Sequence, residues 1–334
     1  MTAPRASALI RLAVAAAAAA LVVACNQGAA SSSPSAATSP SASAASPSAS
    51  ASASAPASAS PSASTGAAGT LALTGTEYAF AGPTTATAGI TTISLQNAGK
   101  EEHQAQLAKL NDGKTFSDLT NALATGDPTN ALGLVTLFGG PTAVVPGATV
   151  ETTSDLTPGT YAFLCFFTAP DGLPHVAKGM ISQLEVTGTS SGGTLPTGDA
   201  SVTAKDFAFE VAGPVAAGEH TFTFKNDGPQ PHEAGVIKLA PGVTAEQIVE
   251  AVKGSAPSAS GSPSASASAS ASASAGPPPF EDAGGISAVS AGSTATFTVT
   301  LEAGSSYAFI CFVPDPATGA PHAALGMVTA IPTS

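Results

Sequence analysis

Two stretches of the chain show the same succession of short apolar-rich runs separated by Gly, Pro and Asn turns. In the first stretch a buried run begins at Tyr161, and further strand-like runs cover Leu71–Phe80, Thr84–Asn97, His103–Leu110, Ala148–Leu156 and Ile181–Thr187. Short strands of Thr, Ile, Val and Phe bounded by turn residues are typical of two packed antiparallel sheets. The pattern therefore predicts an all-β sandwich.

Two segments of this first stretch have helical periodicity instead. In Thr115–Ala124, Thr115 provides a capping side chain and Asp118 stands at the third helical position, while Phe116 and Leu119 fall on one face. A second short helix is predicted over Asn130–Phe138. Each sandwich is thus expected to carry a short helical insertion.

The second stretch repeats the first. The segment DFAFEVAGP at Asp206 matches EYAFAGP at Glu77, and HTFTFKNDGPQPH matches TTISLQNAGKEEH. A capped helix, Thr244–Lys253, follows in the place of the first helix, and the final predicted strands are Thr294–Leu301, Tyr307–Val313 and Leu325–Ile331. A repeat of this length indicates two tandem copies of one Greek-key fold.

Composition separates the folded stretches from the rest. Ser/Ala/Pro tracts have almost no large apolar side chains and cannot bury enough surface to fold. We therefore expect a disordered tether over residues 25–69 and a disordered insertion over 255–279. The predicted organisation is a first domain at 70–189, a linker at 190–199 and a second domain at 200–334.

The N-terminus has the pattern of a targeting segment. Arg5 and Arg11 precede an apolar run, Leu12–Ala24, which is too short to span a bilayer comfortably. The residues LVVAC resemble a bacterial lipobox, which implies cleavage after residue 24 and lipidation of Cys25. An ordinary secretory signal is the alternative. Either interpretation predicts a protein outside the cytoplasm, and the first also predicts a lipid anchor in the cell membrane.

Charge excludes one class of partner. The 334-residue chain has 10 Lys and Arg against 22 Asp and Glu, a net charge of −12. Nucleic acid is not expected as a partner, because phosphate binding needs basic patches. An acidic surface favours basic docking partners.

The residues able to bind soft metals are few and are placed twice in the same order. The chain has five His, three Cys and three Met. Processing of the N-terminus explains Met1 and Cys25, and we interpret His220 as an ordinary hydrogen-bonded residue. When these three are left out, two sets remain. They are His103, Cys165, His175 and Met180, and His232, Cys311, His322 and Met327. Two His, one Cys and a weakly bound Met make up the ligand set of blue-copper sites.

This arrangement resembles the cupredoxin family. In both stretches Asn–x–Gly precedes a His, a distant strand ends in Cys, and His–x4–Met follows in the next loop. The intervals Cys–x9–His and Cys–x10–His are longer than in small members and look more like the type 1 loop of copper nitrite reductases. The resemblance covers the predicted folded stretches and implies up to two coppers, one in each domain.

The same resemblance implies a role for each residue. His103 and His232 would be the upstream imidazole ligands, Cys165 and Cys311 the thiolates, His175 and His322 the solvent-edge imidazoles, and Met180 and Met327 the axial ligands. Catalytic copper sites in multicopper oxidases and nitrite reductases use His–x–His pairs, which this sequence lacks. We therefore expect no enzyme activity.

Three functions stay open at this point. The first is a membrane-anchored carrier of single electrons that meets redox partner proteins. The second is copper binding for delivery or sequestration, together with copper-handling proteins. The third is a metal-free interaction module with a Cys165–Cys311 disulfide, since an exported protein permits disulfides.

Overall fold

The computed structural model describes residues 69–124, 129–190, 193–213, 215–255 and 279–332. The predicted signal peptide, Cys25 and nearly all of the tether and the insertion lie outside the described residues. Ser255, the first residue of the predicted insertion, belongs to a helix, and the bounds of the insertion stay a prediction. The described residues all lie in one compact unit, Pro61–Ser334, and the predicted domain boundaries stay a prediction.

The first half is a sandwich of nine strands. One sheet has the order β7-β4-β1-β2 and the other the order β3-β9-β8-β5-β6. The strands are β1 Gly69–Thr76, β2 Ala79–Ala81, β3 Thr85–Thr87, β4 Gly89–Asn97, β5 Gln106–Leu110, β6 Val135–Leu137, β7 Thr149–Leu156, β8 Gly159–Leu164 and β9 Ile181–Thr187. Between β5 and β6 lie two helices, α1 Phe116–Leu123 and α2 Thr129–Leu132.

The second half repeats this plan with eight strands. Its sheets have the orders β11-β10-β12-β15 and β14-β13-β16-β17. The strands are β10 Ala200–Lys205, β11 Ala208–Ala212, β12 Gly218–Asn226, β13 His232–Leu239, β14 Phe280–Val289, β15 Thr294–Leu301, β16 Ser306–Ile310 and β17 Val328–Ile331. Helix α3, Ala245–Ser255, follows β13. The predicted fold class, two tandem all-β sandwiches with short helical insertions, is confirmed.

Alternation along the strands builds the core of each half. On β4, Ile93 and Leu95 are fully buried, while Gln96 between Leu95 and Asn97 is exposed. On β12, Phe222 and Phe224 point inward, and the Phe222 ring stacks on Phe297 at 5.3 Å. Each such side chain contributes about 2 kcal/mol through the apolar surface it removes from water. The two cores hold the loops that carry the cysteines and histidines.

The two halves share a sheet. Strand β15 pairs with β7 in antiparallel register, Thr296 opposite Thr153, so one eight-stranded sheet runs through both halves. Inside the interface the Gln106 side chain donates to the carbonyl oxygens of Gly139 and Ala288, at 3.1 and 2.9 Å. The halves are therefore joined by backbone pairing as well as by side-chain hydrogen bonds.

Several predicted boundaries are wrong. Residues 133–138 are not helical: α2 ends at Leu132, and Val135–Leu137 forms β6 because it pairs with β5. The predicted strand at Leu325 begins instead at Val328, after a short 3-10 turn. Strand β14 was not predicted, and it runs from the end of the insertion into the interface. Among the described residues, none of the helices has the length and apolar character needed to cross a membrane.

Candidate metal centres

The first group of donor atoms lies at one end of the first sandwich. His103 Nδ1 is 3.3 Å from His175 Nδ1, and Cys165 Sγ is 3.4 Å from the same nitrogen. All three donor atoms lie within 4.8 Å of one another, and their side chains are at most 1% exposed. The structure thus brings together three residues that are far apart in the sequence.

The second half repeats the group. His232 Nδ1 is 3.1 Å from His322 Nδ1, while Cys311 Sγ is 3.9 Å from His232 Nδ1 and 3.4 Å from His322 Nδ1. All three residues are fully buried. In the described part of the chain, these are the two groups of this kind that could hold a metal ion. The sequence prediction of which His belongs with which Cys is in agreement with this geometry.

A four-bond backbone pattern folds each Cys–His loop onto the end of its sheet. In the first half His175 N donates to Phe167 O, Val176 N to Cys165 O, Met180 N to His175 O, and Cys165 N to Met180 O. The second half has the same bonds on His322, Ala323, Met327 and Cys311. The loop of nine or ten residues between Cys and His is therefore held at several points along its length.

A glycine turns each loop toward its methionine. The short 3-10 turns His175–Lys178 and His322–Leu325 end at Gly179 and Gly326, which have φ of 105° and 110°. A side chain at this left-handed conformation would be strained. Each turn thereby places the next residue, Met180 or Met327, back beside the cysteine strand, where both methionines are fully buried.

Met180 also lies close to an imidazole of its own group. An added Cβ on Gly75 would lie 3.4 Å from Met180 Cε and 3.2 Å from His103 Cδ2, so both side chains pack against the same glycine. Met327 belongs to the buried core that contains Cys311. Met180 therefore lies beside the first His–Cys–His group and Met327 shares a buried core with Cys311, while their role as axial ligands stays a prediction.

An Asn–x–Gly turn positions the upstream histidine in both halves. The buried Asn97 amide donates to Glu101 O and Val144 O, each at 2.7 Å, while its oxygen accepts from Gly99 N. Asn226 makes the same set of bonds, to Gln230 O, Val289 O and Gly228 N. The repeated motif is therefore a brace for the loop that leads to His103 or His232.

The outer nitrogens of the imidazoles have different partners in the two halves. In the first, Glu101 Oε2 lies 2.9 Å from His175 Nε2, whereas His103 Nε2 has no hydrogen-bond partner within the described residues and Glu77 is 4.0 Å away. The Glu77 carboxylate accepts instead from the backbone N–H groups of Lys100 and Glu101. The Glu101 carboxylate therefore orients His175 with its Nδ1 toward the donor group.

In the second half a carboxylate contacts the upstream histidine instead of the solvent-edge histidine. Asp206 Oδ1 lies 2.6 Å from His232 Nε2, and His322 Nε2 is 3.1 Å from the neutral Gln230 Oε1. Sequence reasoning missed these three partners, Glu101, Asp206 and Gln230. The signal was present, since Glu77 and Asp206 begin matching segments, and Glu101 and Gln230 both stand two residues before the upstream histidine.

Burial sets the protonation states of the metal-free groups. Together with the facing imidazole, it lowers the pKa of His103 and of His322 to about 4. It also lowers the pKa of His175 and His232, against the effect of their carboxylate partners. The imidazoles are therefore neutral at pH 7, which is the form that binds metals.

The two thiols are buried as well. Burial raises the pKa of Cys165 to about 12 and raises the pKa of Cys311 in the same direction. Two backbone N–H groups oppose this effect by donating to each sulfur, those of Gln104 and Phe167 at Cys165 and those of Glu233 and Val313 at Cys311. A metal ion must displace the thiol proton, and these donors would then stabilise the thiolate.

Two remaining expectations concern a disulfide between the cysteines and the role of His220. Cys165 and Cys311 are free thiols, each within its own group, so the disulfide alternative is wrong. His220 stays outside both groups and lies 2.7 Å from Asp199 Oδ2 and 2.8 Å from Ala216 O, in agreement with its interpretation as a hydrogen-bonded residue.

Comparisons with known proteins give structural resemblances only. No protein-family model matches the chain, and no curated protein sequence matches it. Auracyanin from Roseiflexus castenholzii is 21% identical, with 37% of this chain and 100% of that chain covered and a TM-score of 0.25. Auracyanin A from Chloroflexus aurantiacus is 25% identical, with 35% and 98% covered and a TM-score of 0.25.

One further match spans both halves. The blue copper oxidase from Nitrosomonas europaea is 12% identical, with 79% of this chain and 85% of that chain covered and a TM-score of 0.21. The TM-scores of these matched structures are too low to transfer an activity to this chain.

The donor atoms themselves fit copper. Two imidazole nitrogens and one cysteine sulfur converge in a buried site, with a thioether beside them, and soft sulfur plus imidazole is the ligand combination that copper prefers. The second set is equivalent to the first in order, burial and loop geometry. Each half of this chain thus combines a two-sheet β-sandwich with a buried His–Cys–His group whose donor atoms fit copper.

Proposed function

We propose that this protein carries single electrons outside the cytoplasm through two type 1-like copper centres, and that a lipid on Cys25 anchors it to the bacterial cell membrane. The observation that carries the proposal is the presence of two closed groups of donor atoms, each held by a rigid sandwich. Bound copper would supply a one-electron redox couple, and the residues of the chain would hold it in a fixed and buried site.

The proposed ligands are the eight residues identified from the sequence. His103, Cys165 and His175 would hold the first copper with Met180 as a weak axial ligand. His232, Cys311 and His322 would hold the second, with Met327 in the axial position. The burial of all eight side chains supports this assignment, as do the matching loop bonds of the two halves.

Rigidity supports electron carriage over copper delivery. Each Cys–His loop is held by four backbone hydrogen bonds, and each upstream histidine loop is held by a buried asparagine. Residues fixed in this way change little between two oxidation states, so little reorganisation accompanies each electron. Copper release would require these loops to open.

The same burial disfavours a catalytic role. Donor side chains that are at most 1% exposed leave a substrate no direct route to a bound metal ion. We therefore expect no turnover of a small substrate at either centre. The partners would be redox proteins, and the net charge of −12 favours basic docking surfaces on them.

Reversible reduction tests carriage against delivery. The copper-loaded full chain is reduced and reoxidised repeatedly, with and without an excess of a Cu(I) chelator, and its copper content is measured after each cycle. We expect both centres to cycle and to keep their copper. Rapid loss of copper to the chelator on reduction would contradict electron carriage and favour delivery.

The anchor is tested separately. In a bacterial host that processes lipoproteins, the unaltered chain should appear in the membrane fraction, and Cys25→Ser should release it. Equal distribution of both chains would contradict lipid anchoring and leave the copper centres unaffected.

A further inference from the structure

A cleft of about 130 Å³ lies between the two halves of the chain. One wall is formed by the helical insertion of the first half, through Leu119, Ala131 and Val135. The opposite wall comes from β13, β14 and the residues that follow Cys311. The cleft lies next to both donor groups without including their histidines or cysteines. It is lined by residues whose backbone N–H groups donate to the cysteine sulfurs, namely Gln104, Phe167, Glu233 and Val313.

The walls are largely apolar and aromatic. Phe166 and Phe167 contribute from the first half, and Phe312 contributes from the second. For comparison, an engineered apolar cavity of about 150 Å³ binds benzene. The cleft therefore has room for one six-membered ring with a short substituent.

Acidic side chains from both halves meet at this cleft. Glu233 and Asp282 line it, and Glu233 Oε1 accepts from Phe312 N at 2.7 Å. The Asp282 carboxyl is hydrogen-bonded to the side chain of Glu102, across the interface. Burial, followed by the nearby Glu102 carboxyl group, raises the pKa of Asp282, and no basic side chain among the described residues that line the cleft offsets its charge.

The protein supplies no opposite charge inside the cleft. Among the described residues that line it, none is Lys, Arg or His. A cation would be attracted by the Asp282 carboxyl group, which already contacts the Glu102 carboxyl group, and by the faces of the aromatic rings. Apolar walls with a few convergent polar groups are typical of small-molecule sites.

We propose that the cleft binds a small organic cation, with a ring-sized apolar body and one amidinium or ammonium end. The body would lie against Leu119, Val135 and the Phe rings, and the cationic end would lie at Asp282, beside its contact with Glu102. This site does not depend on bound copper.

Calorimetric titration of the full chain with benzamidine tests this proposal, with neutral benzamide as the matched probe of the same shape. Titrations are run on metal-free and copper-loaded protein. We expect one benzamidine per chain in both, bound at least tenfold more tightly than benzamide. No benzamidine binding, or equal binding of the two probes, would overturn the proposal.

Variants locate the site. Asp282→Asn should weaken benzamidine binding at least tenfold, whereas the neighbouring exposed Glu281→Gln should leave it unchanged. Ala131→Phe, which fills the cleft, should abolish it. Equal weakening by the substitutions at 281 and 282, or unaltered binding to the filled cleft, would overturn the assignment. The visible spectrum of each copper-loaded sample reports separately on the proposed copper centres.

Discussion

At the scale of single residues, the two centres differ in what lies behind the solvent-edge histidine. His175 faces the carboxylate of Glu101, and His322 faces the amide of Gln230. A carboxylate on the outer nitrogen raises the basicity of an imidazole ligand and orients it. The chain thus contains its own natural comparison between a charged and a neutral partner at equivalent positions.

Exchange of these two partners should change copper affinity in opposite directions. Glu101→Gln should weaken Cu(II) binding at the first centre by about tenfold, because outer partners typically contribute 10- to 100-fold. Gln230→Glu should strengthen binding at the second centre. Competition titrations against a Cu(II) chelator measure both. Glu151→Gln removes an exposed charge from the same half and serves as the control; an equal loss in that variant would contradict a local effect.

Copper binding should release protons. At pH 7 the metal-free imidazoles are neutral, because their pKa values are lowered, and the thiols are protonated, because burial raises the pKa of Cys165 to about 12 and raises that of Cys311. Each Cu(II) must therefore displace one thiol proton, and its apparent affinity should rise about tenfold per pH unit near neutrality. Titration in weak buffers should give about one proton per copper. Affinity that does not depend on pH would contradict thiolate ligation.

At the scale of elements, the connection from β12 to β13 shows how a turn positions a ligand. An added Cβ on Gly228 would lie 2.7 Å from both Asp206 Oδ1 and His232 Nε2. The close approach of the backbone to this hydrogen-bonded pair therefore requires glycine. The equivalent Gly99 has the same relation to His103, with an added Cβ 2.8 Å from Nε2.

Gly228→Ala should accordingly damage the second centre alone. The new methyl group must push Asp206 and His232 apart or shift the imidazole, and we expect a 10- to 100-fold loss of copper affinity there. Gly254→Ala is a suitable control, since nothing lies within 4 Å of an added Cβ at that position of α3. Copper titrations of both variants are compared with the unaltered chain. A loss confined to the first centre would be inconsistent with this account.

The elements also show what the sequence could predict. The capped helix at Thr115 and the strands Ile181–Thr187 and Thr294–Leu301 were predicted well, because local caps and alternation determine them. The helix predicted over residues 133–138 is wrong, and β14 was missed. Both errors arise because strand pairing in the folded chain, not the local sequence, determines these segments. The His–Cys–His groups could be predicted from repetition, whereas the acids behind them could not, since their role depends on which loops meet.

At the scale of the whole molecule, the two halves are built as one body. Strands β7 and β15 join their sheets, and Gln106 is hydrogen-bonded to backbone on both sides of the interface. The cleft and its three acidic residues lie at the same junction. We therefore expect the halves to unfold together.

Thermal unfolding of the metal-free chain should show one cooperative transition. Gln106→Ala removes buried hydrogen bonds and should lower the free energy of unfolding by about 1–3 kcal/mol. Gln183→Ala, on an exposed position of β9, should change it by less than about 0.5 kcal/mol. Calorimetry tests both expectations. Two separated transitions in the unaltered chain would contradict a shared body.

The most direct test of the central claim is the copper content of the purified full chain, measured together with its visible spectrum, for the unaltered protein, Cys165→Ser and Cys311→Ser. We predict two coppers per chain with intense thiolate-to-copper absorption, and the loss of one copper and its share of the absorption in each variant. A colourless copper-treated protein, or absorption that persists when both cysteines are replaced, would contradict the two-centre account.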